Sequence, residues 1–360
     1  MPRATPPPID AASCPERVLA SLTESQRIGQ LFAVGLANDE FDADARSAIA
    51  TYHFGSWWFT KKTSVAVDAI RAVSDALQAQ ASEATTGIRF FIAANQEGGL
   101  VQALSGPGFD TIPSALTQGT WPVSTLRSRA AGWGRQLLAA GVNLDFAPVA
   151  DVVPAGTAAA NAPIGELERE YGFEPSLVAT HAAAFVEGMG DARVMTTAKH
   201  FPGLGRVAEN TDFASGVVDT VTTAHDPYLE PFRRAVDAGV PAVMVSLATY
   251  ERIDPDRVAA FSWPIVGGIL EDDLGFGGVV MSDSLSAHAV SWIPAGTRAV
   301  RFLDNGGDMI VVGPVSTAIE MAKGIAAHAH ESSWFRKRID NALLHVLRAK
   351  ESAGLLPCGS

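Results

Sequence analysis

Eight short apolar runs, each followed by helix-like sequence, constrain this chain more than any other feature. They are QLFAVGL (30–36), GSWWF (55–59), RFFIAAN (89–95), VNLDFAPV (142–149), VMTTAKH (194–200), VPAVMVSL (240–247), GGVVMSD (277–283) and GDMIVVG (307–313). The runs are largely continuous and rich in β-branched or aromatic residues, the pattern of parallel strands buried on both faces. Between them, VAVDAIRAVSDALQAQA, TLRSRAAGWGRQLLAAG, PSLVATHAAAFVEGMG and DPYLEPFRRAVDAG read as helices, several stopping at glycine. SSWFRKRIDNALLHVLRAKESAG closes the chain as a strong helix. Eight such units predict an α/β protein with a single (β/α)8 TIM-type barrel. A doubly wound open sheet is the alternative, weakened because no glycine fingerprint follows the first strand. A length of 360 residues suits a barrel, and no composition break marks a second domain. The barrel is therefore expected over 16–360, after a proline-rich, disordered lead-in at 1–15.

A hydrophobic share of 47% against 18% charged residues supplies a large core. The net charge of −12 comes without a basic stripe, so nucleic acid is not expected as a partner. No apolar run is long enough to cross a bilayer, and MPRATPPPIDAASC lacks the apolar centre of a signal peptide. The two cysteines, Cys14 and Cys358, sit near opposite termini and fit no zinc spacing. In a barrel the first and last units are neighbours, so a disulfide across the termini is one expectation. It would imply export or a cell-envelope location. Two free thiols in a cytoplasmic protein is the other.

In a barrel of this kind, chemistry gathers at the C-terminal ends of the strands. That rule selects Asn95, Gln96 and Glu97 after the third strand and Asp151 after the fourth. It also selects Lys199 and His200 at the fifth, Leu247 at the sixth and Asp283 at the seventh. Asp283 could be a nucleophile, a base or a ligand; Ser282-Asp283-Ser284 could equally cap a helix. Lys199 and His200 are adjacent, so on a regular strand they point to opposite faces. A kink into Pro202-Gly203 would bring both to one pocket; a surface lysine beside a core histidine is the plainer alternative. GLG at 203–205 is only a weak hint of a phosphate loop, lacking the Lys-Ser/Thr ending. No HExxH, GxSxG or metal-spaced histidine cluster occurs, so no metal is expected.

NQEGGLVQAL (95–104), LDFAPVADV (144–152), APIGELEREYGFEP (162–175), KHFPGLG (199–205) and GFGGVVMSDSL (275–285), in that order, resemble glycoside hydrolase family 3. The likeness is greatest to its single-domain bacterial β-N-acetylglucosaminidases. The resemblance implies a (β/α)8 barrel and a carbohydrate substrate carrying β-linked N-acetylglucosamine or a related sugar. It also implies retention through a covalent glycosyl-enzyme intermediate, without any cofactor. Asp283 matches the nucleophile; Arg169, Lys199 and His200 match sugar-binding positions.

The chain departs from the family at several places. Asn95 stands where the family has a sugar-binding aspartate. Leu100 and Ala103 replace arginines, Leu204 and Leu247 replace histidines, and Ser284 replaces an aspartate. In the acid/base loop, Asn210 stands at the orienting aspartate and Asp212 at the catalytic histidine. Three readings follow. Asp212 is itself the general acid, with Glu209 a second candidate; a retaining pair needs its carboxyl groups about 5–5.5 Å apart, which a mobile loop could bring about on binding. Or the enzyme prefers a different sugar. Or the chain is a sugar-binding pseudoenzyme without turnover.

Overall fold

The computed structural model describes residues 12–358. Eight parallel strands form the central sheet: β1 (Phe32–Leu36), β2 (Ser56–Phe59), β3 (Phe91–Ala94), β4 (Leu144–Asp145), β5 (Met195–Phe201), β6 (Ala242–Val245), β7 (Val279–Ser282) and β8 (Ile310–Val312). Each falls on one of the eight runs read from the sequence, β5 running one residue past its run to Phe201. Every strand pairs with its neighbour in chain order, and β8 returns to β1 in the register Phe32↔Ile310 to Val34↔Val312. The bridge Met281↔Met309, with Ser282 N–H donating to the Met309 carbonyl at 3.0 Å, closes β7 onto β8. The sheet is therefore a barrel, and the open-sheet alternative falls away.

The strands are short and almost wholly buried where they cross the core. All five residues of β1 are buried, as are all seven of β5, which explains why their sequences do not alternate. Helices surround the barrel, among them Ala43–Tyr52 after β1, Val67–Gln78 after β2, Val123–Ala139 after β3, Pro175–Asp191 after β4 and Glu230–Asp237 after β5. Ala295–Asp304 follows β7, and Val315–Glu331 with Ser333–Ser352 follow β8. Gly141 and Gly239, at φ +76° and +78°, end two of these helices in the left-handed conformation that a Cβ disfavours. Gly190 behaves differently from the expectation: it lies inside its helix, and Arg193 takes the positive φ beyond it.

The floor of the barrel is fixed by the last helix. Lys350 is fully buried, and its ammonium donates to Gln30 Oε1 (2.7 Å) and to the carbonyls of Gly55 (2.8 Å) and Arg89 (3.0 Å), just before β1, β2 and β3. Asp308, at the base of β8, is bound by Arg338 at 3.0 Å and by His345 at 2.9 Å from the same helix. The first helix, Cys14–Ser21, packs on this helix, and Cys14 is disulfide-bonded to Cys358 with the Cα atoms 6.1 Å apart. Ser13 and Glu16 form a capping box at its start. Ordered structure thus begins inside the span read as a lead-in, because that cap and that bridge hold it. Residues 1–11 lie outside the described residues.

Burial alone draws the Lys350 amine down from 10.5 to about 7. Between those values the unfolded chain holds a proton that the native chain has released, so native stability rises with pH across the window. Chemical denaturation of the wild type and Lys350→Met should show a stability difference that widens from pH 7 to pH 10. A constant difference would show that the amine does not titrate in the fold.

Candidate active site

The C-terminal ends of β3, β5 and β7 and the loop after β4 deliver polar residues to one cavity of about 300 Å³. Its wall includes Asn95, Arg169, Lys199, His200, Asp212 and Asp283. Asn210, Leu204 and Ser284 also line it, with Trp58, Phe146 and Phe213 as its aromatic faces. All the residues singled out as catalytic or sugar-binding are brought together here.

Glu97 organises the charged side. It takes a bidentate pair of bonds from Arg169, Nε to Oε2 and Nη2 to Oε1, both at 2.8 Å. Lys199 Nζ stands 2.5 Å from Glu97 Oε1 and donates to Asn95 Oδ1 at 2.8 Å. Burial works against the Glu97 charge, but the Arg169 and Lys199 cations outweigh it and hold the carboxyl at about 2. Arg169 is anchored a third time, to the Pro163 carbonyl at 2.7 Å.

His200 is held from behind. Its Nδ1 lies 2.7 Å from Asp151 Oδ2, and its backbone N–H donates to Asp151 Oδ1 at 3.2 Å. Nε2 is left facing Arg169 Nη2 at 3.4 Å. The register of β5 against β6 shifts between Lys199 and Phe201, and the Lys199-His200 peptide is cis. Both side chains line the pocket, so the surface-lysine and core-histidine alternative does not apply. Asp151 Oδ1 also takes the Leu204 N–H at 2.8 Å, tying the following loop to the same carboxylate. The GLG stretch has a packing role in that loop: a Cβ on Gly205 would stand 1.8 Å from the Val152 carbonyl oxygen.

The loop carrying Asp212 is pinned in place. Asn161 Nδ2 donates to the carbonyls of Leu204 and Val207, at 2.8 and 2.6 Å. The carbonyls of Thr211 and Asp212 accept from Ala289 and His288 at 3.0 and 3.2 Å. Asn210 Oδ1 accepts the Asp212 N–H at 2.9 Å, an Asx turn that sets the angle of the residue expected to be the acid. Burial in the pocket wall raises the Asp212 carboxyl first and the Asp283 charge raises it further, while His200, Arg169 and Lys199 pull the other way. Glu209 lies off the cavity wall that Asp212 lines, so it is not placed as a second acid. Asp283 accepts the Ser284 N–H at 2.7 Å. The cap of the next long helix is Pro294, which removes the helix-cap reading of Asp283.

The departures from the family pattern divide by position. Leu204 and Ser284 line the cavity, whereas Leu100, Ala103 and Leu247 do not. Three acidic residues emerge that strand-end reasoning did not assign. Glu97 had been noted only for its place in the chain. Asp145 was signalled by a charge inside the buried LDF run; Gln96 N–H donates to it at 2.9 Å, and burial lifts its carboxyl to about 7. Glu170 is fully buried with both carboxyl oxygens unbonded, and nothing in REYG marked it.

The glycosyl hydrolase family 3 N-terminal domain model matches residues 23–349. A β-hexosaminidase of Stenotrophomonas maltophilia (strain K279a) is 30% identical over 301 residues, 78% of this chain and 83% of that protein. The crystal structure of a β-N-acetylhexosaminidase from Beutenbergia cavernae DSM 12333 superposes with a TM-score of 0.91 at 44% identity, covering 92% of this chain and 99% of that one. A family 3 β-N-acetylglucosaminidase from Paenibacillus sp. str. FPU-7 superposes at 0.84 with 28% identity, over 94% of this chain and 64% of the larger one.

Breaking a buried ion pair from one side typically costs about 3–5 kcal/mol. Glu97→Gln should show a loss of that order in denaturant unfolding, since it leaves Arg169 and Lys199 with reduced compensation; a change no larger than that of a surface substitution would contradict the arrangement. Burial lifts the Glu170 carboxyl from 4.5 to about 7, with the charges of Glu168 and Asp151 adding to it. The unfolded chain releases that proton near 4.5 and the native chain keeps it to about 7, so the native state loses stability as pH rises through that window. Glu170→Gln should therefore raise Tm at pH 8 relative to the wild type and change it little at pH 4. An equal gain at both values would point to a cause other than this proton.

Proposed function

We propose that this chain, which belongs to glycosyl hydrolase family 3, is a retaining β-glycosidase that releases β-linked N-acetylglucosamine, with Asp283 as nucleophile and Asp212 as proton donor. The observation that carries this reading is that both carboxyl groups share one small pocket with the donors of Arg169, Lys199 and His200. The names of the related proteins support the choice of sugar.

The two carboxyls are suited to opposite roles. Asp283 accepts the Ser284 N–H and shares the pocket with Arg169, from where its carboxylate would attack the anomeric carbon. Asp212, raised by burial and by Asp283, holds its proton to higher pH and can deliver it to the leaving oxygen. Bond cleavage gives an ester between the sugar and Asp283. Asp212, now ionised, takes a proton from water as that water attacks the same carbon, and both carboxyls return to their starting states. Arg169, Lys199, His200, Asn95 and Asn210 are the groups that would receive the sugar's hydroxyl and acetamido groups. Binding of this kind rejects sugars that leave buried donors unpaired.

Hydrolysis of p-nitrophenyl β-N-acetylglucosaminide beside the β-glucoside tests the reading. Asp283→Ala should lower kcat by about a thousandfold or more, the scale of losing a nucleophile. Asp212→Asn should cripple cleavage of sugars with poor leaving groups and spare the aryl glycoside, with loss of the alkaline limb of the pH profile. Equal losses on both leaving groups would remove Asp212 as the donor. No turnover on either aryl glycoside would favour a sugar-binding protein without catalysis.

A further inference from the structure

A second compartment of about 880 Å³ opens beside the catalytic cavity of about 300 Å³. It lies between the C-terminal ends of β1, β2 and β8 and the helices Ala43–Tyr52 and Val315–Glu331. Trp58, Asp212 and Ser284 line both spaces, so the two adjoin and Asp212 stands at their boundary. We infer that this compartment is the leaving-group site and that it selects a neutral glycan of two or more units. The inference rests on the glycosidase reading above.

The position follows from the chemistry. A proton donor must lie between the sugar being transferred and the oxygen that departs. With the sugar in the smaller cavity against Asp283, the departing portion extends past Asp212 into the larger space. The size follows from comparison: a cavity of about 300 Å³ is assigned one sugar ring, and the adjoining space of about 880 Å³ has room for more than one.

The lining supplies the selectivity. Trp58, Tyr52 and Ile319 offer apolar faces, while Ser47 and Ser316 offer hydroxyls. Sugar rings present this same mixture of apolar faces and polar edges. Three carboxyl residues line the compartment, Asp42, Asp44 and Asp212, against one cation, Lys61. Lys61 Nζ is already hydrogen-bonded to Asn38 Oδ1. Asp39 fixes that wall by accepting the N–H groups of Thr60 at 2.7 Å and Lys61 at 3.2 Å. A leaving group bearing a carboxylate would meet like charge here, and a neutral one would not.

The experiment measures kcat/KM for the aryl glycoside, for β-linked N-acetylglucosamine oligomers from dimer to tetramer, and for a trimer whose second ring carries a carboxylate ether. In the wild type, kcat/KM should rise about tenfold or more from dimer to tetramer, the scale of a few added contacts. The carboxylated trimer should be the poorer of the two trimers. Ser316→Trp and Ser47→Trp fill the compartment from two exposed positions; both should abolish the gain with length, lowering kcat/KM for the tetramer far more than for the aryl glycoside. Asp44→Lys should improve the carboxylated trimer relative to the neutral one. Aryl turnover without a gain in length, a gain that survives both tryptophans, or a preference for the carboxylated trimer each overturns the inference while leaving the glycosidase reading standing. Absence of aryl turnover overturns both.

Discussion

Two cations and one carboxylate, all buried, hold the top of this barrel together. Glu97 comes from the end of β3, Lys199 from β5 and Arg169 from the loop after β4, so their contacts tie three adjoining units. Three charges removed from water are costly unless each is compensated. Here the carboxylate takes two bonds from Arg169 and lies against Lys199, and both cations have further acceptors in Pro163 and Asn95. The arrangement fixes where the donors point before any ligand arrives. A site preorganised in this way does not have to reorder long side chains when it binds.

Asp151 extends that order outward. One of its oxygens faces the His200 ring and the other takes the amides of His200 and Leu204. The histidine and the start of the acid-bearing loop are thereby set by one carboxylate. The loop's far end is fastened differently, through Asn161 and the backbone of residues 288–289. Asp212 is therefore presented from a loop held at both ends.

The opposite end of the barrel is also fastened by buried charged groups. Lys350 meets three oxygen acceptors, and no carboxylate is among its hydrogen-bond partners. The last helix thus closes the floor, and the disulfide from Cys14 to Cys358 fastens the first helix to the tail that follows it. Contacts that fasten the fold line this floor, and the polar residues of the cavity gather at the rim. This separation is general to barrels whose loops carry the chemistry.

The sequence by itself determined the fold class. Eight continuous apolar runs with helical spacers are local patterns, and burial on both faces leaves no alternation to disguise them. It also determined which strand ends would carry polar residues, because Asn95, Lys199, His200 and Asp283 sit directly at those ends. How these residues are partnered emerges only when the barrel closes. Glu97 and Arg169 lie 72 positions apart and His200 and Asp151 lie 49 apart, so no periodicity in the chain links them. Which of Asp212 and Glu209, three residues apart, lines the cavity was also beyond the sequence, since it depends on the Asx turn at Asn210 and on which side of the loop meets the barrel. The physical reason is the same in each case. Secondary structure reports interactions within a few residues, whereas the partner of a buried charge is fixed by which segments the closed barrel forces together.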